Sequence, residues 1–176
     1  MPFEDENLFE PEEPEERAPE RAEELEKRPD RGEVRTREVK VMGIFVEEDV
    51  TQNFFVLLRD HRDRQLPILI GAFEASSIAM ALQGERPTRP MTHDLLKNVI
   101  ERLGAKIDSL TIDDLWHETY YAKLALQVND GLIDIDTRPS DGIAIAVRAG
   151  APIYVAESVL EEAEKRRDGD TETEER

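Results

Sequence analysis

The chain has no cysteine, which excludes a disulfide framework and any thiolate metal site and makes a reducing cytoplasm the expected home. It has no apolar run approaching the ~18 residues that would mark a membrane-spanning helix. Its opening MPFEDENLFE is acidic where a signal peptide is basic. Positive charge is scarce too: 23 Lys and Arg stand against 41 Asp and Glu, a formal net charge of −18. Nucleic-acid backbones are bound mainly through Lys and Arg, so this deficit weighs against such a substrate unless the charge is unevenly spread. It is only partly so. Residues 1–37 carry 14 acids and 7 bases, residues 38–160 carry 19 and 12, and residues 161–176 carry 8 and 4, giving −7, −7 and −4. Only 6 of the basic residues are lysine. An acidic, lysine-poor surface suits concentrated salt, which would also screen repulsion from an acidic substrate; an ordinary acidic protein with an acidic tail reads the same way. No basic run interleaved with aromatics announces a groove for single strands.

What is present divides the chain into three. Residues 1–37 are mostly Glu, Arg and Pro, without the apolar period needed to offset the entropy of ordering them, and read as an acidic, disordered extension. Residues 38–160 hold one compact domain, and residues 161–176 a charged helix end and tail.

Within the core, two pieces repeat at a spacing of about 65 residues, each reading strand, strand, strand, helix. Val41, Ile44 and Val46 fall on Ile107, Leu110 and Ile112, Phe54 and Phe55 on Tyr120 and Tyr121, and, after a one-residue gap, Ile68, Ile70 and Ile78 on Ile133, Ile135 and Ile143. The expected strands cover residues 39–46, 53–59 and 66–70 in the first copy and 106–112, 119–128 and 132–136 in the second, with Asn129-Asp130-Gly131 as a hairpin turn. The first helix spans about residues 73–83 and is capped by Gly84; the third begins at Pro139 and ends at Gly150. Between the copies, Pro87 and Pro90 forbid a helix, Thr92 is the expected N-cap of a second helix, and Leu95, Leu96, Val99, Ile100 and Leu103 share one of its faces. A short strand at residues 152–155 and a last helix from about Ser158 complete an α/β fold of the α+β kind: a mixed sheet of duplicated units with additional helices packed on it.

Where the copies diverge, function is expected to differ: Gly71, Glu74 and Ser76 become Asp136, Pro139 and Asp141. Two segments concentrate polar groups beside helix starts, Arg89-Pro90-Met91-Thr92-His93-Asp94 and Asp134-Ile135-Asp136-Thr137-Arg138-Pro139-Ser140-Asp141. Each sets an arginine beside free backbone N–H groups, where the helix dipole favours an anion such as phosphate. The same residues are also what helix caps and buried ion pairs require, and that alternative stands beside the first. His93, at a helix start beside Asp94, is the candidate proton-transfer group, because histidine changes charge near neutral pH. Glu74 reads as a dipole-favoured carboxylate, as a partner for Arg89 or Arg138, or as a ligand for a divalent cation with Asp94, Asp136 or Asp141. No metal-ligand spacing is visible.

Several ordered motifs resemble the bifunctional nuclease family: Leu66-Pro67-Ile68-Leu69-Ile70-Gly71, Glu74-Ala75, Arg89-Pro90 with Thr92-His93-Asp94-Leu95-Leu96, Thr119-Tyr120-Tyr121-Ala122, Asp136-Thr137-Arg138-Pro139-Ser140-Asp141 and Pro152-Ile153-Tyr154-Val155. The resemblance covers residues 39–160 and implies a mixed α/β domain, usually self-associating, that hydrolyses DNA and RNA without strong sequence preference. Gly142 stands where the pattern suggests Ala. The charges at the helix starts, not the resemblance, suggest the roles: His93 transfers protons, Glu74, Asp94 and Asp141 complete the catalytic set by orienting it or by holding a divalent cation such as Mg or Mn, and Arg89, Thr92, Arg138 and Ser140 hold the phosphate. A homo-oligomer, most simply a dimer, is expected. The competing reading is a non-catalytic oligomeric module that binds an anionic ligand or a protein partner, with helix one, rich in Ala and Ser, packing against a second copy.

Overall fold

The computed structural model describes residues 34–47, 52–85 and 87–174, with side chains as far as residue 166; the expected disordered extension therefore lies almost wholly outside the described residues. Seven strands form one sheet: β1 (Thr36–Glu47), β2 (Asn53–Asp60), β3 (Gln65–Ile70), β4 (Lys106–Trp116), β5 (Thr119–Val128), β6 (Gly131–Thr137) and β7 (Ile153–Ala156). Four helices accompany them: α1 (Ala72–Leu82), α2 (Thr92–Arg102), α3 (Pro139–Ala149) and α4 (Glu157–Glu174). The sheet order is β3-β2-β1-β7-β4-β5-β6, and β7 pairs antiparallel with β1 but parallel with β4, so the sheet is mixed and the fold is α+β.

The strands follow from alternation. In β3, Leu66, Ile68 and Ile70 point into the core while the residues between them are exposed. Opposite them in β2 lie Val56 and Leu58, fully buried cross-strand neighbours. Strand β1 begins earlier than its alternation suggested, because Thr36, Arg37, Glu38 and Val39 add a ladder to β7. Beyond it, Arg37 and Arg64 both bond the Glu157 carboxylate, and Arg64 is also bound to the buried Asp60, which joins β1, the β2–β3 turn and the start of α4.

Strand β6 departs from the apolar match. Ile133 and Ile135, matched in sequence to buried Ile68 and Ile70, are 47% and 45% exposed. They share a face with their buried partners Leu126 and Leu124, yet at the outer edge of the sheet no described element covers them. The apolar face of α2 is likewise only partly used: Ile100 packs against the core, Leu95, Leu96 and Val99 are exposed, and Leu103 is 81% exposed. Helix α1 buries Ala75, Ser77 and Ile78 and packs against α3, while Ala72 and Ser76 stay exposed.

Helix α3 is the central one, packed on α1, α2, β4 and β5, with Ile143, Ala144, Ile145 and Ala146 buried. Gly142 has a packing reason: a Cβ there would collide with Leu110 Cδ1 and come within 3.1 Å of Thr137 Cγ2. Pro139 occupies the first turn and Gly150 the left-handed C-terminal position, φ 65°, as their residue types require.

Candidate active site at three helix starts

The central position of α3 brings its first turn against the starts of α1 and α2, and the polar residues there meet. Glu74 lies in the first turn of α1, His93 and Asp94 in that of α2, and Arg138 is the N-cap of α3 with Asp141 one turn on. Gly71, the N-cap of α1, lacks the Cβ that would collide with Glu74 Oε2, so the carboxylate can fold back over the helix start.

Arg138 donates from Nε to Asp141 Oδ2 at 2.7 Å and from Nη2 to Asp141 Oδ1 at 3.0 Å and Glu74 Oε1 at 2.9 Å. Its side chain is 66% exposed, and Nη1 has no hydrogen-bond partner among the described residues. Burial acts to raise the Asp141 carboxyl, but the bonds from Arg138 and His93 outweigh it and hold the group below the usual carboxylate range. The paired carboxylates in turn hold the Arg138 guanidinium more firmly charged.

Both ring nitrogens of His93 are engaged: Nδ1 lies 2.8 Å from Ser77 Oγ and Nε2 lies 3.2 Å from Asp141 Oδ1. Arg148 Nη2 donates to Ser77 Oγ at 2.9 Å, which leaves the serine proton to be given to Nδ1. The partners therefore assign the imidazole proton to Nε2, from which it is donated to Asp141. Arg148 also bonds Asp94 Oδ1 at 2.6 Å, the Ser77 carbonyl at 3.1 Å and the Ala144 carbonyl at 2.9 Å, clasping all three helices with a side chain only 8% exposed.

A cavity of about 320 Å3 opens on this cluster, lined in part by Glu74, Ser77, Thr92, His93, Arg138 and Asp141. Of the residues singled out in sequence, Glu74, His93, Arg138 and Asp141 are thus in one hydrogen-bonded group. Thr92 lines the cavity but is the first residue of α2 and not its cap. The N-cap is Met91, whose N–H is accepted by Asp94 Oδ2 at 3.0 Å. Burial acts to raise the Asp94 carboxyl, but its bonds from Arg148 and from the Met91 N–H hold it low; it is turned to Arg148 and does not touch His93 by hydrogen bond. Ser140 is buried and lines a neighbouring, larger groove. Arg89 is exposed, lines neither cavity and makes no ion pair among the described residues. Ser77 and Arg148, the two residues that fix His93, carried no sequence signal: one is a serine within a small-residue helix, the other a basic residue in a last helical turn.

Toward a divalent cation the carboxylate donors are already committed. Glu74 and Asp141 already share the Arg138 guanidinium, which sits where a cation would bridge them, and no group of three or more His, Asp or Glu gathers among the described residues. These residues do not fit a preformed cation site, and no step below runs through one.

An arginine-braced imidazole and carboxylate thus stand at three helix starts, lining a cavity on a mixed α+β sheet. Residues 56–168 match the bifunctional nuclease domain, and the chain belongs to that family. It is 46% identical over 126 residues, 72% of this chain and 75% of the other, to an uncharacterized protein of Mycobacterium tuberculosis. It is 32% identical over 101 residues to Bifunctional nuclease 1 of Oryza sativa subsp. indica and 31% identical over 93 residues to Bifunctional nuclease 2 of Arabidopsis thaliana. Those matches cover 56% and 51% of this chain but only 30% and 28% of the plant proteins. No described helix is long and apolar enough to cross a membrane.

Proposed function

We propose that this protein is a cytoplasmic nuclease that hydrolyses phosphodiester bonds of DNA and RNA with little sequence preference. The observation that carries the reading is the contact of His93 with Asp141 beside an exposed guanidinium, Arg138, whose Nη1, without a hydrogen-bond partner among the described residues, can take a phosphate oxygen. A phosphate placed there is held by charge-assisted bonds, with the first-turn N–H groups of α3 and the hydroxyl of Thr92 beside it, Ser140 in the adjoining groove and Arg89 as an outlying cation. Asp141, bound to His93 Nε2–H, takes the proton of the attacking water as the oxygen–phosphorus bond forms, while His93 gives its Nε2 proton to the leaving oxygen as that bond to phosphorus breaks. The proton on Asp141 then returns to Nε2, so one water yields a phosphomonoester and a hydroxyl. Glu74 and Asp141 orient Arg138 and His93, and Asp94 acts through Arg148. Recognition of phosphate and not base edges accounts for acceptance of both nucleic acids. The test is purified protein, treated with chelator and then resupplied with magnesium or manganese, on DNA and RNA. Activity should scale with protein concentration, and Arg138→Ala and His93→Ala should each lose on the order of 10²-fold or more while staying folded. Wild-type rates in both variants would end the reading.

The second reading, a non-catalytic module that binds an anion or a partner protein, is favoured by the pairing inside the cluster. Three carboxylates (Glu74, Asp94, Asp141) face two guanidiniums (Arg138, Arg148), a formal charge of −1 with neutral His93. Self-association fits either reading, and its supporting surface is the apolar stripe of α2 with the uncovered edge strand β6, a fit for a second copy of this chain. Leu95→Glu with Leu103→Glu should then give a smaller particle in light scattering; an unchanged mass removes α2 from the interface.

A further inference from the structure

Arg138 lines two hollows. On the side away from His93 a groove of about 840 Å3 runs between β2, β3, the start of β5 and the first turn of α3. Nothing in the phosphate-and-imidazole chemistry uses it. Its lining is largely apolar, with Phe54 from β2, Ile70 from β3 and Tyr120 from β5, and Asn53, Thr119 and Ser140 supply hydrogen-bonding groups. Phe54 and Tyr120 are both half-buried, so each ring is anchored in the fold and keeps part of its surface accessible. The charge within the groove is sparse. Arg138 is its cation, and the one carboxylate, Glu118, is bound by both terminal nitrogens of Arg166, at 2.7 and 2.9 Å.

A hollow of this size lies within the ~300–1,000 Å3 range of small-ligand sites. It admits a flat, partly apolar group that carries one anionic charge at the Arg138 end and bonds amide and hydroxyl groups along its edge. An unpaired nucleotide has that form: its base offers a π face to Phe54 or Tyr120, and its phosphodiester reaches Arg138, the residue common to groove and cavity. A duplex does not, because its bases are stacked and paired and its backbone asks for a broad basic surface that a core with 19 acids and 12 bases lacks.

We propose that this groove is the base-binding subsite of the enzyme, so that the substrate class is single-stranded nucleic acid, bound with one base in the groove and its phosphate at Arg138. The inference rests on the nuclease reading for the cavity beside it. Stacking on an aromatic ring is tolerant of sequence, since every base has a π face, and it leaves the sugar unread.

The test is fluorescence anisotropy of a labelled six-nucleotide single strand and of a labelled blunt duplex of the same sequence, both with cleavage-resistant phosphorothioate linkages so that hydrolysis does not intervene. The single strand should bind at least tenfold more tightly. Tyr120→Leu should weaken that binding by roughly tenfold while Tyr120→Phe, which keeps the ring, does not. Thr119→Glu alters an exposed rim position, puts a carboxylate in the path of the phosphate and should weaken binding without touching the core; it serves if Tyr120→Leu fails to fold. Equal affinity for strand and duplex, or wild-type binding by both Thr119→Glu and a folded Tyr120→Leu, overturns the subsite. Loss of hydrolysis in Arg138→Ala would still uphold the nuclease. Strand-selective binding by a wild-type protein that never hydrolyses would sink the nuclease and keep the subsite.

Discussion

Replacing Arg148 with Met is the substitution that loads the convergence of the three helices most heavily. The guanidinium is almost fully buried, bonds Asp94 on α2, both the carbonyl and hydroxyl of Ser77 on α1, and the Ala144 carbonyl on its own helix. Methionine keeps much of the stem packing but removes every donor. The Asp94 carboxylate then loses its charged partner, and Ser77 Oγ loses the donor that sets its direction. Removing one partner of a buried ion pair costs about 3–5 kcal/mol. Asp94 remains 27% exposed and regains some water, which places the expectation at the lower end, about 3 kcal/mol. For a domain of this size that is on the order of a 10 °C fall in Tm. Urea unfolding monitored by the single tryptophan, Trp116, gives the free energy directly. Asp94→Asn and the double variant close a cycle, in which the pair should show a coupling of roughly 1.5 kcal/mol or more. The loss should persist in high salt, because the pair is shielded from screening. A cost below about 1 kcal/mol for Arg148→Met, or additive effects in the cycle, would show that the clasp does not hold the helices together.

Acid should unfold the protein partly through Glu157. Bonds from Arg37 and Arg64 push its carboxyl from 4.5 to about 2. Since the folded value lies below the unfolded one, its stabilisation, on the order of 2–3 kcal/mol, is complete above about pH 5 and drains away as pH falls toward 2. Asp60, Asp94 and Asp141 are shifted the same way. Urea midpoints of wild type and Glu157→Gln should differ near neutral pH and converge toward pH 2; a constant gap contradicts this. Gly142→Ala offers better helix propensity by about 1 kcal/mol, but its methyl collides with the fully buried Leu110. The net should be a loss of roughly 1–2 kcal/mol, and Leu110→Ala in the same chain should recover the Gly142→Ala penalty relative to Leu110→Ala alone.

Much of the fold was legible because it depends on residues with narrow conformational use. Pro139 fixed the start of α3, Gly84, Gly104 and Gly150 the ends of three helices at φ values of 70°, 85° and 65°, and Asn129-Asp130 the β5–β6 turn. Alternation located β2 and β3 to within a residue. It failed at Ile133 and Ile135, since period alone places side chains on a face and cannot say whether another element covers that face. Thr92 was a reasonable cap by residue type, yet the helix begins there and Asp94 closes on the Met91 N–H instead. At the candidate site, Glu74, His93, Arg138 and Asp141 were visible as charged groups beside helix starts. Ser77 and Arg148 were not, because their importance comes from a contact between residues 71 positions apart. That Phe54 and Tyr120 line one groove was hidden for the same reason: they lie on β2 and β5, which are not neighbours in the chain or in the sheet.

The most direct measurement is the rate of oligonucleotide hydrolysis by wild type, His93→Ala, Asp141→Asn and the double variant, prepared identically and compared at equal folded concentration. If His93 and Asp141 work as one unit, each single variant loses most of the rate and the double variant loses little more than either. Losses that multiply, or a His93→Ala protein as fast as wild type, would mean that the hydrogen bond between them is part of the fold and not of a reaction.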